Sequence, residues 1–233
     1  MSKKTLEIKN IKKRYKLKGQ EPIDALKGVS LDIDKNEVIT LLGVNGAGKS
    51  TLSSIIATLH PPTEGDIVFD GKSIYNDLNH FRLNLGFCPQ RPNLNPALTL
   101  KQNLLFAGQL YRMSEANIRI RFNKLVEQFE LGNYLDRKSD ILSGGYRQRF
   151  MIARSLMHNP KIVLLDEPTV GLDPHIRRQI WAKIKELKQD GVTVILTTHY
   201  LDEAEHLSNR VCILDGGRSE ERRVGKECRS RCS

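Results

Sequence analysis

This chain predicts an α/β fold with a largely parallel central sheet, and three observations carry the prediction. Short apolar runs bounded by Gly, Pro or Asp recur along the chain in the manner of buried strands. Helical patterns stand between many of them, the alternation expected of parallel strands with crossover helices. One long stretch, Asn93 to His158, holds almost no strand-like run and reads as helical.

In chain order, Leu6-Glu7-Ile8 and Leu31-Asp32-Ile33 alternate apolar and polar, as an antiparallel edge with one wet face does. Val38–Leu42 reads as the first core strand and Lys49–Leu59 as the helix after it. Ile67–Phe69 and Leu85–Cys88 are the next strands. In Leu100–Leu110 and Ile118–Phe129 apolar residues recur at i, i+3 and i+4, so both are helices of an insertion. Ile162–Asp166, Val192–Thr198 and Val211–Leu214 complete the strands, with helices at His175–Lys188 and Leu201–Leu207. The expected organisation is a single domain over 1–217, its core formed by 1–92 and 159–217 and its helical subdomain by about 93–158.

The 233 residues, 39% of them hydrophobic, suffice to bury such a core. No apolar run approaches the roughly 20 residues that span a bilayer, and no apolar stretch follows Met1-Ser2-Lys3-Lys4, so no secretory leader is expected. The chain is expected in the cytoplasm, with any membrane attachment made through a partner. Net charge is +10, and Lys3, Lys4, Lys9, Lys12, Lys13, Arg14, Lys16 and Lys18 crowd the N-terminus. They read as a solvated face, and no direct nucleic-acid binding is expected. Cys88 and Cys212 sit in strand-like contexts as core residues, Cys228 and Cys232 lie in the tail, and no CxxC pair suggests zinc or a disulfide framework.

Gly43-Val44-Asn45-Gly46-Ala47-Gly48-Lys49-Ser50-Thr51 follows a strand and opens a helix, the context in which such a loop binds phosphate. Its glycines let backbone N–H groups converge, and the helix N-terminus adds positive potential. Lys49 would reach the β- and γ-phosphates, and the Ser50 hydroxyl would ligate Mg²⁺. Asp166 ends an apolar strand, which places its carboxylate at the sheet edge beside that loop to hold Mg²⁺ through water; Glu167 would polarise an attacking water. Ser143-Gly144-Gly145 stand where a helix begins, again offering backbone donors to phosphate.

The phosphate loop, the run Leu142–Arg149 reading LSGGYRQR, and Ile162–Glu167 together, in that order, resemble the ATP-binding-cassette (ABC) ATPases, in particular the ATPase subunits of membrane transporters. The resemblance covers roughly Leu6 to Gly217. It implies that Gln90 is a Mg²⁺ and water contact at a hinge towards the membrane partner, and that His199 touches the γ-phosphate. It implies further that adenine stacks on Tyr15 and that Asp173, in Gly171-Leu172-Asp173-Pro174, contacts an opposing subunit. Ser143, Gly144 and Gly145 would address ATP held by a second subunit, so two composite sites arise in a head-to-tail homodimer. Tyr146 departs from the commonest pattern, which has Gln there; ATPase activity is expected to survive. The remaining histidines, His60, His80, His158, His175 and His206, read as structural.

GLDPHIRRQIW and TTHYLDEAE look most like ATPase subunits of bacterial exporters for drugs, lipids or polysaccharides. The implied role is ATP hydrolysis that powers export through a separate integral membrane subunit, with this chain peripheral on the cytoplasmic face. The alternative is a soluble ABC ATPase acting on ribosomes or DNA. Against it, the chain has one cassette and neither CxxC nor heptads.

From Arg218 the text RSEERRVGKECRSRCS loses periodicity and is expected to add neither strand nor helix. It closely resembles the translation of a common sequencing adapter, so 218–233 is expected to be a non-native tail. Without it the net charge falls from +10 to +7.

Overall fold

The structure, a computed structural model, describes residues 4–16, 19, 21–139 and 142–223. Lys3, Lys18, Cys228 and Cys232 lie outside the described residues, as does the tail from 224 onward.

Two sheets organise the chain. Strands β1 (Lys4–Tyr15), β2 (Ile23–Asp34), β4 (Glu64–Phe69) and β5 (Lys72–Ser73) form a four-stranded sheet in the order β2-β1-β4-β5, antiparallel throughout. The predicted edge pair is there, with Leu6 opposite Ile33 and Ile8 opposite Leu31. The pair belongs to a separate sheet and extends to 12 residues in each strand, well beyond the alternating triplets.

The second sheet, with β10 (Arg218–Arg223) at its edge, has the order β10-β9-β3-β8-β7-β6. Strands β3 (Val38–Leu42), β6 (Leu85–Cys88), β7 (Ile162–Asp166), β8 (Thr193–Thr198) and β9 (Arg210–Asp215) run parallel. Alternation along these strands divides the core. Ile39, Leu41, Ile162, Leu164 and Ile195 face the antiparallel sheet and α1 (Lys49–Ile56), while Val38, Val163, Leu165, Val194 and Leu196 face the helices on the other side. Buried on both faces, the central strands can be apolar without interruption.

Between β6 and β7 the chain is helical: α3 (Leu100–Leu110), α4 (Glu115–Gln128) and α5 (Gly144–Ser155). Helices α6 (Pro174–Gln189) and α7 (Leu201–Leu207) follow β7 and β8. A short helix, α2 (Leu78–Asn84), was not foreseen; its cap is Asp77, whose side chain accepts from His80 N–H.

The expectation that the tail adds no strand is corrected for its first six residues. Arg218–Arg223 form β10, antiparallel to β9, with Arg218 opposite Asp215. Gly216 and Gly217 both take positive φ, 52° and 81°, and close a two-residue hairpin whose left-handed turn suits the strand twist. Edge pairing runs through backbone groups, so the polar side chains of β10 do not oppose it.

Three of the N-terminal cations are paired across the antiparallel sheet. Lys4 meets Asp32 at 2.6 Å, Lys12 meets Glu64 at 2.6 Å and Arg14 meets Asp24 at 2.5 Å. Among the described residues no helix is long and apolar enough to cross a membrane.

Candidate functional site

The loop Gly43–Gly48 joins β3 to α1 at the C-terminal edge of the parallel sheet, where ligands of open α/β sheets gather. Gly46 (φ 84°) and Gly48 (φ 106°) turn the backbone through the left-handed region, and Gly43 packs so close to the Leu214 carbonyl that a Cβ there would collide with it. Ala47 is buried beneath the loop. Gly48 caps α1 without a side-chain acceptor, so the first-turn amides of the helix point outward as donors. That arrangement fits a polyphosphate. The Lys49 side chain is 4% exposed, and its ammonium donates to the Gly43 carbonyl at 2.8 Å and the Val44 carbonyl at 3.2 Å.

Glu167 is the hub of the site. It directly follows β7 with φ 49°, a strained position for a side chain of this size. Its N–H is held by Thr197, from the carbonyl at 3.1 Å and the hydroxyl at 2.9 Å. One carboxylate oxygen accepts from the Gln90 amide at 3.0 Å, and the other faces Lys49 Nζ at 3.6 Å and His199 Nδ1 at 3.4 Å. Gln90, Lys49, Glu167 and His199, placed at four separated points of the chain, thus meet at one carboxylate. The Thr197 hydroxyl also donates to Asp166 at 2.5 Å, so a single side chain on β8 orients both acids.

Burial pushes the Asp166 carboxyl above the usual carboxylate range, and the neighbouring Glu167 adds to the rise while the Thr197 hydrogen bond opposes it. A divalent cation would reverse that rise. Asp166, Ser50 and Gln90 supply oxygen donors of the kind Mg²⁺ takes, and the set fits an ion completed by phosphate oxygens and water.

A cleft of about 470 Å³ opens over the loop, lined by Asn45, Gly46, Gly48, Lys49, Ser50, Thr51, Gln90 and Glu167. Its other wall is Ile23, Asp24, Ala25 and Lys27 of β2 with the Gly216-Gly217 turn. The turn is fastened there: Gly217 N–H donates to the Ala47 carbonyl at 3.2 Å, and its own carbonyl accepts from Lys27 N–H at 2.8 Å. Sequence reasoning missed this wall, which carries no chemical motif; the Gly-Gly pair was its one available signal. Tyr15 does not line the cleft. It pairs across the ladder with Ile23, which does, and Lys13 stands 5.3 Å from its ring.

Ser143, Gly144, Gly145 and Asp173 also stay off this cleft. Each has a local duty. Ser143 caps α5, its hydroxyl accepting from Tyr146 N–H at 3.3 Å, and Asp173 caps α6 by accepting from His175 and Ile176 N–H, both at 3.0 Å. The two caps are adjacent: a Cβ on Gly145 would overlap Ile176, and one on Gly144 would stand 3.2 Å from Leu172.

The family described as ABC transporter matches residues 26–170. The Nod factor export ATP-binding protein I of Rhizobium meliloti is 38% identical over 213 residues, which are 91% of this chain and 62% of that protein. The linearmycin resistance ATP-binding protein of Bacillus subtilis (strain 168) is 39% identical over 212 residues, 91% of this chain and 67% of the relative. The chain therefore spans somewhat less than two thirds of the Nod factor relative's length. A solved ATP-binding cassette, in a dimeric post-hydrolysis state bound to ADP and Pi, superposes with a TM-score of 0.84 at 35% identity, covering 94% of this chain and 99% of that one.

Proposed function

The chain belongs to the ABC transporter family, and from that premise we propose that it binds and hydrolyses ATP to power export through a separate membrane-spanning subunit. The observation that carries the reading is the convergence of Gln90, Lys49 and His199 on the Glu167 carboxylate beside a phosphate-binding loop. A carboxylate so held can accept a proton from water attacking the γ-phosphorus, and His199 and Lys49 face the charge that develops on the phosphoryl oxygens. Bound Mg²⁺, held by Ser50 and Asp166 with Gln90, would neutralise the phosphates. Adenine would lie towards Tyr15 and the β2 wall.

Ser143, Gly144, Gly145 and Asp173 sit off the cleft of their own chain, which supports their use in trans on ATP bound by a second copy. Two copies closing head to tail would complete two sites. Hydrolysis would reopen them, and Gln90, which follows β6 and precedes the helices α3 to α5, would pass the motion to the membrane subunit. Export as the direction rests on the names of the Nod factor and linearmycin relatives. The chain would then sit on the cytoplasmic face of the membrane.

The test is recovery of partners from native membranes with the Glu167→Gln form held on ATP. A multi-span membrane protein identified by mass spectrometry is the expected result. Ribosomal or DNA-repair proteins without one would overturn the transport reading.

A further inference from the structure

Tyr146 stands in the helix that opens with Ser143, where the commonest pattern of this motif has glutamine, and the structure turns it inward. The residue is 6% exposed. Its hydroxyl donates to the carbonyl of Leu131, in the connection after α4. The ring packs edge-on against Tyr134 at 4.8 Å and 79°. The Arg149 guanidinium lies 5.6 Å from the ring centre and pairs with Glu130 at 2.8 Å, and Glu130 in turn meets Lys183 of α6 at 3.4 Å. Tyr146 therefore fastens the first turn of α5 to the connection after α4, and Arg149 with Glu130 extends the link to the helix that Asp173 caps.

The same residue sets the Ser143 hydroxyl. The Tyr146 N–H donates to Ser143 Oγ at 3.3 Å. A serine hydroxyl has one hydrogen to give, and with a lone pair occupied in this way that hydrogen remains for an outside acceptor. A flexible residue at 146 would leave the cap and the turn free to fray, and their ordering would then be charged to nucleotide binding.

We propose that Tyr146 is a positioning residue: by holding its hydroxyl on the Leu131 carbonyl it preorganises Ser143 and the first turn of α5 for the γ-phosphate of a nucleotide carried by a second copy of this chain. The inference rests on the composite-dimer reading above. Tyr146 touches no nucleotide and acts only through Ser143. Its loss should therefore spare binding in the chain's own cleft and weaken the closing of two chains.

The experiment is an ATP titration of dimer formation, followed by light scattering, in Glu167→Gln protein with and without Tyr146→Phe. Phenylalanine keeps the ring and its packing and removes the hydroxyl that makes the tether. The ATP concentration for half-dimerisation should rise roughly fivefold, the scale of one hydrogen bond. Affinity for MgADP, which lacks the γ-phosphate that the second chain would hold, should stay unchanged. Arg149→Met, which removes the cation from the ring and breaks the Glu130 pair, should shift dimerisation in the same direction. An unchanged half-point in both variants overturns the role of Tyr146 and leaves the dimer reading intact. An equal loss of MgADP affinity also overturns it, since the variant would then merely loosen the fold. If Glu167→Gln protein with Tyr146 in place forms no dimer on ATP, the composite-dimer reading fails and takes this inference with it.

Discussion

Gln90 donates its side-chain amide to the Glu167 carboxylate at 3.0 Å, across 77 positions of sequence. The contact joins the second residue after β6, at the threshold of the helical stretch, to the residue after β7. Whatever moves the first of these strand ends relative to the second changes how the carboxylate is aimed.

Replacing Gln90 with Ala should lower kcat for ATP hydrolysis about tenfold, the low end for a hydrogen bond to a charged group at an exposed site. His199 at 3.4 Å and Lys49 at 3.6 Å would keep the carboxylate in the site, so any accompanying rise in KM would report the lost Mg²⁺ contact. Steady-state kinetics separates the two quantities. A raised KM with unchanged kcat would show that Gln90 serves binding and leaves the carboxylate alone.

Lys49→Ala should abolish nucleotide binding at ordinary concentrations. The ammonium is nearly buried, bonded to two loop carbonyls and close to Glu167, so truncation removes the phosphate partner and leaves that carboxylate with less compensation. Breaking a buried charge pair costs about 2 kcal/mol or more, a loss of about 30-fold or more in affinity. Calorimetric titration with a non-hydrolysable ATP analogue measures it. Retained affinity would mean the backbone cradle alone carries the phosphates.

The phosphate loop and the paired acids were legible because their chemistry demands particular residue types at particular spacings. The core strands β3, β6 and β7 were legible because burial on both faces leaves them almost wholly apolar. The β2 wall of the cleft was not, since Ile23 to Lys27 belong to no recognisable motif. Strand β10 was misread because its polar side chains hid a hairpin signalled only by Gly216-Gly217. The inward turn of Tyr146 was open for a different reason: its partner, the Leu131 carbonyl, is a backbone atom that no side-chain pattern reports. Glu203 in LDEAE gave no sign of burial either, because an acid among acids on a short helix reads as solvent-facing.

That glutamate is in fact fully buried, and its Oε1 accepts from the Thr169 hydroxyl at 2.7 Å and from Trp181 Nε1 at 2.9 Å. It ties α7 to the segment after Glu167 and to α6. Glu203→Ala would strand both donors and should destabilise the protein by about 2–4 kcal/mol, with Glu203→Gln, which keeps an acceptor, costing less. Trp181 is the single tryptophan, so its fluorescence reports the site directly during thermal unfolding. A midpoint lower by about 5 °C or more is expected for Glu203→Ala; coincident curves for Ala and parent would refute the tie.

His158 should make the fold acid-sensitive. Its Nε2 bonds the Leu85 carbonyl at 3.0 Å, its ring stacks on Tyr111 at 3.6 Å and 5°, and Nδ1 is buried with no partner among the described residues. Burial, more than the nearby Arg121, pushes its pKa down from 6.5 to about 4. Above pH 6.5 the histidine is neutral in folded and unfolded chains alike and shifts nothing. Below 6.5 the unfolded chain takes up a proton that the folded chain refuses until about pH 4, so stability falls through that window. The loss attributable to this group between pH 7 and pH 4.5 is about 2 kcal/mol. His158→Phe keeps the stack and removes the titration. It leaves the Leu85 carbonyl without its partner, so the variant should be less stable at pH 7 by about 1 kcal/mol, yet it should lose about 2 kcal/mol less than the parent on acidification. Urea unfolding of both proteins at pH 7 and pH 4.5 gives the comparison in which other titrating groups cancel. Parallel losses in the two proteins would place the acid sensitivity elsewhere.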